Sequence, residues 1–490
     1  MTIDYDVVII GGSLAGRYAA LVATQLGAKV ALVEPKINYG FLYHHAISEI
    51  SNLAQHLRDV VGLNIHASQV ETPGKSPISV VLPEAMQYAQ GVASNVEAQH
   101  SAANLAALGV DVIFDSGQFQ ASPHLAFAVS DRRLRARNYL LASSSRPTIP
   151  DIDGLSATGY LTLSNIWQFL LSGQGNPTPK LPKNWVILGG VPQSIEIAQT
   201  LARLGCHVTL IVKRPQILPD LDPEISQLLQ AQLEVDGVRV ITQTPVTQVM
   251  RIEDKKWIQA GDKAIETDEI LVATGQQPKV ESLNLAAVDV KWYRRHLVVN
   301  EKLQTTNPRI YACGDVIGGY DFANVANYEA RIALNNALFF SKSRVNYRCI
   351  PLAIFSQPML AQVGLTENKA KRKYNRHEVL VVRQYFKTVA AAQIRSETTG
   401  ICKLILLRNG EILGAEIFGE SAGELINFIA LAMSQNLKIQ QLENLSPVYP
   451  SFSEILEKSF REWHKQKLNS NLSRQEFLES FFQFRRNWNI

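Results

Sequence analysis

An apolar run leads directly into a glycine-rich turn in the segment YDVVIIGGSLAG, residues 5–16. Its β-branched residues predict a strand over Tyr5–Ile10, and the Ala-rich residues beyond the turn predict a helix over Arg17–Leu26. A second strand is predicted over Lys29–Val33, with Glu34 at its end. Strand, turn, helix and strand make one βαβ unit, whose parallel strands are usually buried. The segment therefore indicates an α/β fold.

The turn of this unit has the residues that a dinucleotide site requires. Gly11, Gly12 and Gly16 allow backbone N–H groups at the start of the helix to approach a pyrophosphate. Ser13 stands at the middle glycine position, and the acid Glu34 can hold a ribose hydroxyl. The alternative is an ordinary tight α/β turn with a solvated Glu34, and the full context favours the dinucleotide site.

The same order of elements returns further along the chain. A strand over Trp185–Leu188 meets the turn Gly189-Gly190-Val191-Pro192-Gln193-Ser194. A helix is predicted over Ile195–Leu204 and a strand over His207–Val212. Two such units suggest two nucleotide-binding domains.

The second turn departs from the glycine pattern. Val191 and Ser194 occupy the second and third glycine positions, and Val191 adds a branched side chain where the backbone would approach phosphate. The strand that follows ends in Lys213 and Arg214 and has no acid, which favours the 2′-phosphate of NADPH over NADH. The alternative for the turn is a βαβ unit that no longer binds a nucleotide well. The alternative for Lys213 and Arg214 is a solvated pair of surface cations.

Composition excludes several classes of protein. The chain has 490 residues, of which 19% are charged, and a formal net charge of +4, so neither wholesale disorder nor a nucleic-acid footprint is expected. Its four cysteines are scattered, at Cys206, Cys313, Cys349 and Cys402. No CxxC spacing occurs, which argues against a metal site and a disulfide-stapled secreted fold and favours a reducing, cytoplasmic compartment. We also expect no signal peptide and no membrane-spanning segment.

The pattern changes from about Asn346. Strands are predicted over Glu378–Val382, Ile401–Leu407 and Ile412–Ile417, with a helix over Ala422–Ser434. Neighbouring strands with short connections, followed by a helix, indicate an α+β domain.

Two helical stretches follow, around Glu454–Lys467 and over Ser473–Asn489. The second has an aromatic stripe at helical spacing, formed by Phe477, Phe481, Phe484 and Trp488. Such a face packs on protein or lies on a membrane surface, and we favour packing on protein.

One further motif is Tyr311-Ala312-Cys313-Gly314-Asp315, which places a strand before Gly-Asp. Gly314 permits close approach of the backbone, and Asp315 can accept hydrogen bonds from a polyol. Alone, Gly-Asp is a common turn.

Together these motifs resemble the flavin-dependent pyridine nucleotide–disulfide oxidoreductases, a family that includes dihydrolipoamide dehydrogenase, glutathione reductase and mercuric reductase. The likeness rests on the first turn with Glu34, on Ala273-Thr274-Gly275, on Tyr311–Asp315 and on Val363-Gly364-Leu365-Thr366-Glu367. The family implies an α/β fold with two Rossmann-like dinucleotide-binding domains and a C-terminal α+β interface domain that makes a homodimer. The implied parts are an FAD-binding domain at 1–150 and 275–345, an NAD(P)-binding domain at 151–274, the interface domain at 346–465 and a helical tail at 466–490.

The resemblance also implies the cofactors, FAD in the first domain and NADPH or NADH in the second. The implied FAD site consists of Gly11, Gly12, Ser13, Gly16, Glu34, Ala142, Gly314 and Asp315. The implied NAD(P) site consists of Gly189, Glu196, Lys213, Arg214 and Gly275. The family usually has Ala-Thr-Gly where this chain has Ala142-Ser143-Ser144, so one local FAD contact differs.

The redox chemistry departs further from the family. Its paired cysteines would fall at Leu42 and Ile47, and the lysine of the same helix at Ser51. The glutamate that partners this lysine is present as Glu196. The His-Pro-Thr-x-x-Glu motif, which the partner subunit supplies, reads Tyr449-Pro450-Ser451-Phe452-Ser453-Glu454, and a tyrosine is a poor base near neutral pH.

Four residues are candidates for catalysis: Glu196, Tyr449, Glu454 and His45. By the family alignment His44 and His45 would lie near the flavin, and a histidine can exchange protons near pH 7. The alternative, which we favour, is that both are helix-surface or interface histidines.

The leading hypothesis is an FAD-dependent NAD(P)H oxidoreductase that passes electrons to a non-disulfide acceptor, such as a quinone. A second hypothesis is an FAD-binding scaffold or sensor with little turnover. Disulfide or mercuric reductase activity ranks third, because thiol exchange needs a thiolate.

Overall fold

The computed structural model describes residues 3–34, 40–61, 80–172, 181–293, 296–469 and 472–488. The chain divides into two compact units. The first comprises Met1–Pro215 and Leu233–Val345, and the second comprises Gln216–Gln232 and Asn346–Ile490. Among the described residues, no helix combines the length and the apolar character needed to cross a bilayer. The finer domain limits stay predictions.

The first unit alternates strands and helices. Its strands are β1 (Tyr5–Ile10), β2 (Val30–Val33), β3 (Asp111–Ile113), β4 (Gly117–Gln120), β5 (Ala126–Val129), β6 (Arg132–Leu134), β7 (Ala136–Leu141), β8 (Ser145–Pro147), β9 (Leu161–Thr162), β10 (Asn184–Leu188), β11 (His207–Ile211), β12 (Val238–Ile241), β13 (Val246–Ile252), β14 (Lys255–Ala260), β15 (Lys263–Thr267), β16 (Glu269–Val272), β17 (Gln276–Pro278), β18 (Trp292–Tyr293), β19 (His296–Leu297) and β20 (Ile310–Ala312). Its helices are α1 (Leu14–Gln25), α2 (Gly40–Val61), α3 (Leu82–Gln99), α4 (Ala102–Ala107), α5 (Leu155–Thr158), α6 (Ile166–Ser172), α7 (Pro192–Arg203) and α9 (Ala323–Leu338), while α8 (Pro223–Val235) begins in residues of the second unit.

The first sheet has the strand order β20-β7-β1-β2-β3, and every neighbouring pair is parallel. Its central strand β1 is covered on both faces. Val7 and Ile9 pack in one apolar cluster with α1 and α9, and Val8 and Ile10 pack in another. Burial on both faces explains why β1 is a continuous apolar run with no alternation of polar residues.

The second sheet has the order β12-β11-β10-β16-β9, again all parallel. An antiparallel sheet of β13, β14 and β15 lies in the same unit. The prediction of two Rossmann-like βαβ units is therefore confirmed, one at β1-α1-β2 and one at β10-α7-β11.

Both helices that follow the turns begin earlier than their apolar residues predict. The helix α1 begins at Leu14 instead of Arg17, because the Ser13 hydroxyl caps its first turn. The helix α7 begins at Pro192 instead of Ile195, because the fixed φ of proline suits the first turn of a helix.

The second unit is built on one antiparallel sheet with the order β21-β22-β25-β24-β23. Its strands are β21 (Leu352–Ile354), β22 (Met359–Gly364), β23 (Val379–Tyr385), β24 (Ile401–Leu407) and β25 (Ile412–Gly419). Its further helices are α10 (Glu367–Lys373), α11 (Ala390–Arg395), α12 (Ala422–Ser434), α13 (Ile439–Leu442), α14 (Glu454–Asn469) and α15 (Leu472–Asn487). The α+β prediction is confirmed, and β24 and α12 have the predicted bounds.

The aromatic stripe lies on α15 and at the residue just after it. Phe477, Phe481, Phe484 and Trp488 are between 43% and 65% exposed. The rings of Phe477 and Phe481 stack, and Phe484 meets Trp488 edge to face. The expectation that this stripe packs on protein stays a prediction.

Candidate functional site

The turn between β1 and α1 is closed by its own atoms. Gly11 has a φ of +108°, and a Cβ atom there would lie 2.4 Å from the Cα of Ser143. A Cβ at Gly16 would lie 2.1 Å from the carbonyl oxygen of Gly11. The Ser13 Oγ accepts a hydrogen bond from the Gly16 N–H at 3.3 Å and donates one to the Ala142 carbonyl at 2.7 Å. Ser13 can thus replace the middle glycine because its hydroxyl caps the helix.

The surroundings of this turn suit a bound dinucleotide. The hydroxyl of Ser143, beside Gly11, is buried and has no hydrogen-bond partner among the described residues. A buried hydroxyl without a partner is costly, and a polar ligand would satisfy it. Asp315 follows β20, accepts a hydrogen bond from Ser145 at 2.7 Å, and keeps lone pairs for a further donor. These residues fit FAD.

Three other predicted FAD residues lie at the same edge of the sheet. The Gly12 N–H donates to the Glu34 carbonyl at 2.9 Å, so the turn and the end of β2 are tied together. Glu34 is half-buried with a φ of +57°, a conformation that a non-glycine residue adopts rarely. Gly314 has a φ of +73°, and its N–H donates to the buried Glu329 carboxylate at 2.7 Å.

The turn between β10 and α7 has a similar path and a different cap. A Cβ at Gly189 would lie 1.9 Å from the Ala273 carbonyl oxygen, so glycine is required there too. Val191 is the N-cap residue and makes no side-chain hydrogen bond to the helix. The Ser194 hydroxyl donates to the Val191 carbonyl at 2.6 Å. The first-turn N–H groups of α7 therefore have no side-chain acceptor.

Three further predicted NAD(P) residues follow the two strands that flank β10. Lys213 and Arg214 follow β11 and are exposed, and neither is in an ion pair with another described residue. Gly275 follows β16 with a φ of +112°, and its carbonyl accepts from the Thr148 N–H at 2.9 Å. A Cβ at Gly275 would meet nothing within 4 Å.

The helices α2 and α7 bring together a histidine and a glutamate. The His44 Nε2 lies 3.3 Å from the Glu196 Oε2, without the alignment of a hydrogen bond, and both side chains are buried. The Trp167 ring of α6 stacks on the imidazole with centroids 5.7 Å apart. His44 is only 5% exposed, so it is not a helix-surface histidine, and the other form of the expectation, an interface histidine, stays a prediction. Its contact with Trp167 has no signal in the sequence.

The other residues of α2 that the sequence analysis singled out are buried or half-buried. Ile47 is buried, Leu42 is half-buried, and the Ser51 hydroxyl donates to the Ser48 carbonyl of its own helix at 2.7 Å. His45 is half-buried, and its ring lies 5.5 Å from that of His44. Burial, helped by the neighbouring His44, lowers the pKa of His45 below its ordinary value. His45 is therefore largely neutral at pH 7.

Arg203 of α7, which sequence analysis missed, forms a buried ion pair and is also hydrogen-bonded to α2. Arg203 lies 3.1 Å from Asp236, and its Nη1 donates to the Asn52 Oδ1 of α2 at 2.6 Å. The Arg58 Nη1 of α2 donates to the Arg203 carbonyl at 2.9 Å. These two hydrogen bonds join α7 to α2 near the end of α7.

Tyr449 and Glu454 belong to the second unit. The side chain of Tyr449 is 74% exposed. Glu454 begins α14, accepts a hydrogen bond from the Ala390 N–H at 2.9 Å and lies 2.8 Å from Lys458. Burial opposes its ionisation, but the bonds to Lys458 and Ala390 outweigh burial and keep the pKa of Glu454 below its ordinary value. Glu454 is thus an ionised carboxylate held by its own unit.

The cysteines are poor nucleophiles. All four are free thiols, and Cys206, Cys313 and Cys402 are buried. Burial raises the pKa of Cys206 and of Cys402 to about 12 and that of Cys313 well above its ordinary value. Within the described ranges, no group of three or more His, Cys, Asp and Glu side chains is arranged to hold a metal ion.

Two family profiles match the chain. The one described as pyridine nucleotide-disulphide oxidoreductase covers residues 5–330, and its dimerisation domain covers residues 350–460. Together they span both units.

Individual proteins match over nearly the whole chain. A mercuric reductase of Staphylococcus aureus is 30% identical over 468 residues, which cover 92% of this chain and 81% of that protein. A dihydrolipoyl dehydrogenase of Synechocystis sp. is 28% identical over 486 residues, 94% of this chain and 98% of that protein. Among solved structures, the HOCl-induced flavoprotein disulfide reductase RclA of Escherichia coli aligns with a TM-score of 0.78 at 24% identity, covering 93% and 99% of the two chains. The fold is shared along its length.

Proposed function

The chain belongs to the pyridine nucleotide-disulphide oxidoreductase family, and on this basis we propose that it is an FAD-dependent enzyme that oxidises NAD(P)H and passes the electrons to a small non-disulfide acceptor such as a quinone. Members of the family bind FAD and use NAD(P)H. The match to the dimerisation domain supports a homodimer.

The positions of the cysteines in the sequence are the observation that carries the proposal. The earliest cysteine is Cys206, and by the resemblance the family's paired cysteines would fall at Leu42 and Ile47. Exchange with a disulfide requires a thiolate, and burial keeps the thiols of Cys206 and Cys402 protonated. This supports electron transfer to an acceptor without a thiol relay.

The first βαβ unit has the residues to hold FAD. The N–H groups at the start of α1 suit the pyrophosphate, Glu34 suits a ribose hydroxyl, and Asp315 suits the ribityl chain. Ser143 offers a buried hydroxyl that has no partner among the described residues. When bound, FAD supplies a two-electron acceptor that can also donate electrons singly, which the side chains alone cannot do.

The second βαβ unit has the residues to hold NADPH. Val191 offers no side-chain cap, so the Gln193 N–H at the start of α7 can serve a pyrophosphate, whereas the Ser194 and Ile195 N–H groups donate to the Val191 carbonyl. Lys213 and Arg214 are exposed cations at the end of β11, where an acid would select NADH, and they suit a 2′-phosphate. This supports NADPH as the preferred donor.

Anaerobic titration of the purified protein with NADPH and with NADH tests the proposal. We expect bound flavin whose absorbance bleaches within minutes, with NADPH effective at the lower concentration, and recovery of the absorbance when a quinone is added. Thiol titration after reduction should find no more thiols than before it. An FAD-loaded protein that neither bleaches nor turns over a quinone would instead be a scaffold or sensor, and new thiols would indicate a disulfide relay.

A further inference from the structure

The imidazole of His44 is buried and incompletely bonded. Its side chain lies between α2, α6 and α7 and is 5% exposed. Nδ1 has no hydrogen-bond partner among the described residues, although a buried ring nitrogen normally has one. Nδ1 can therefore still form one hydrogen bond with a ligand.

Two neighbours set the direction of the ring. The Glu196 carboxylate lies 3.3 Å from Nε2, and Trp167 stacks on the ring face at 5.7 Å with an angle of 27° between the planes. A carboxylate beside one ring nitrogen favours the proton on that nitrogen in the neutral ring. Nδ1 of His44 is then the nitrogen that takes up and gives away a proton.

The proposed reaction requires one proton that NAD(P)H does not provide. Oxidation of NAD(P)H breaks one C–H bond and yields a hydride, which equals two electrons and one proton. Reduction of a quinone forms two O–H bonds and consumes two electrons and two protons. The overall balance is NAD(P)H plus quinone plus H⁺ giving NAD(P)⁺ plus hydroquinone, so each turnover draws one proton from an acid in the site.

We propose that His44 is this acid, with Nδ1 donating a proton to a carbonyl oxygen of the acceptor and Glu196 and Trp167 holding the ring in place. The inference rests on the proposed function and narrows its acceptor to molecules that take protons together with electrons. The Nδ1–H bond breaks as the acceptor O–H bond forms. Solvent then returns the proton to Nδ1.

Few other groups compete with His44 for this role. On its own helix the nearest titratable ring is His45, whose pKa is lowered by burial, so His45 has little proton to give at pH 7. From α7 the imidazole meets Glu196, and α6 has no titratable residue in its sequence. The titratable residues of α3 are exposed: Glu84, Tyr88 and Glu97.

The first test compares two acceptors in H44Q. Ferricyanide takes electrons without protons, whereas a soluble benzoquinone takes both. We expect H44Q to lower kcat with the quinone ~100-fold, the contribution of a well-placed general acid, and to leave kcat with ferricyanide unchanged. The matched control is H124Q, the same substitution at an exposed histidine outside this cluster, which should leave both rates unchanged. Equal quinone rates in H44Q and in the unsubstituted enzyme would overturn the inference.

The pH profile separates a proton donor from a structural residue. With the quinone, kcat of the unsubstituted enzyme should depend on pH in a way that H44Q loses, while kcat with ferricyanide should not show that dependence. The quinone profile of E196Q should also differ from that of the unsubstituted enzyme, because a neutral amide replaces the carboxylate beside Nε2. A quinone profile that is the same in the unsubstituted enzyme, H44Q and E196Q would contradict the assignment.

A spectroscopic readout does not depend on turnover. In the oxidised enzyme with ¹⁵N-labelled histidine, the His44 signals are those that H44Q removes, and they should report a proton on Nε2 in the neutral ring. A neutral ring with its proton on Nδ1 would overturn the inference. Ferricyanide turnover and flavin bleaching by NADPH test the proposed function separately, so if both persist while the His44 results are negative, only the present inference fails.

Discussion

The two glycine turns of the first unit follow similar backbone paths and differ in what satisfies the start of the helix. At α1 the Ser13 hydroxyl accepts from the first turn, and Gly16 closes against the Gly11 carbonyl. At α7 the N-cap residue is Val191, which offers no acceptor, and Ser194 turns its hydroxyl back to the Val191 carbonyl. The same βαβ topology therefore occurs once with a side-chain cap at the start of the helix and once without one.

This difference matches the two ligands of the proposed function. A turn that is satisfied by its own atoms is preorganised and suits a cofactor that stays bound. A turn that lacks a side-chain cap gains a hydrogen-bond acceptor when a phosphate arrives and loses it when the phosphate leaves. The second turn thus suits a nucleotide that exchanges in each turnover.

Substitution of the first glycine of each turn should have the largest effect and should separate the two ligands. G11A places a Cβ against the Ser143 backbone, and G189A places one against the Ala273 carbonyl, both at positive φ. Backbone strain of this kind costs of the order of 1–3 kcal/mol, roughly tenfold or more in binding. We expect G11A to lose flavin absorbance on purification, and G189A to keep flavin while its KM for NADPH rises.

The control for this pair is G27A. Gly27 also has a positive φ, but a Cβ there would meet nothing within 4 Å. We expect this variant to keep both its flavin and its KM for NADPH. Loss of flavin in G189A, or its retention in G11A, would contradict the assignment of the two turns.

Charge reversal after β11 should have the next largest effect. Replacing Lys213 and Arg214 together with glutamate removes the cations that suit a 2′-phosphate. We expect the KM for NADPH to rise roughly 10- to 100-fold, the value of one or two charge-assisted hydrogen bonds, and that for NADH to stay constant. K263E, at an exposed position on β15, is the control for added negative charge. If NADH and NADPH are affected alike, the pair is not a 2′-phosphate site.

Exchange of the two caps should have the smallest effect. V191S gives α7 the hydroxyl cap that α1 has, and S13A removes that cap from α1. An N-cap hydroxyl contributes about 1 kcal/mol, so V191S should raise the free energy of unfolding and S13A should lower it by similar amounts. Urea denaturation followed by circular dichroism measures both.

Local patterns were sufficient for most of the fold. The apolar runs at β1 and β10 and the glycines after them predict both βαβ units, because a strand buried on both faces and a tight turn each require particular residue types. Patterns were less accurate at the ends of helices. The starts of α1 and α7 depend on a serine cap and a proline, which apolar periodicity does not register.

The candidate site also has features that local sequence predicts and contacts that only packing decides. Its glycines, and the absence of cysteine before Cys206, are facts of local sequence, and they were enough to predict a flavoprotein without the thiol pair. Local sequence does not decide whether His44 or His45 contacts Glu196. Neighbouring residues on a helix point about 100° apart, so only the packing of α2 against α7 decides which ring meets Glu196, and it selects His44. Residues 152 positions apart along the chain meet because tertiary packing, and not sequence spacing, sets the rotation of each helix.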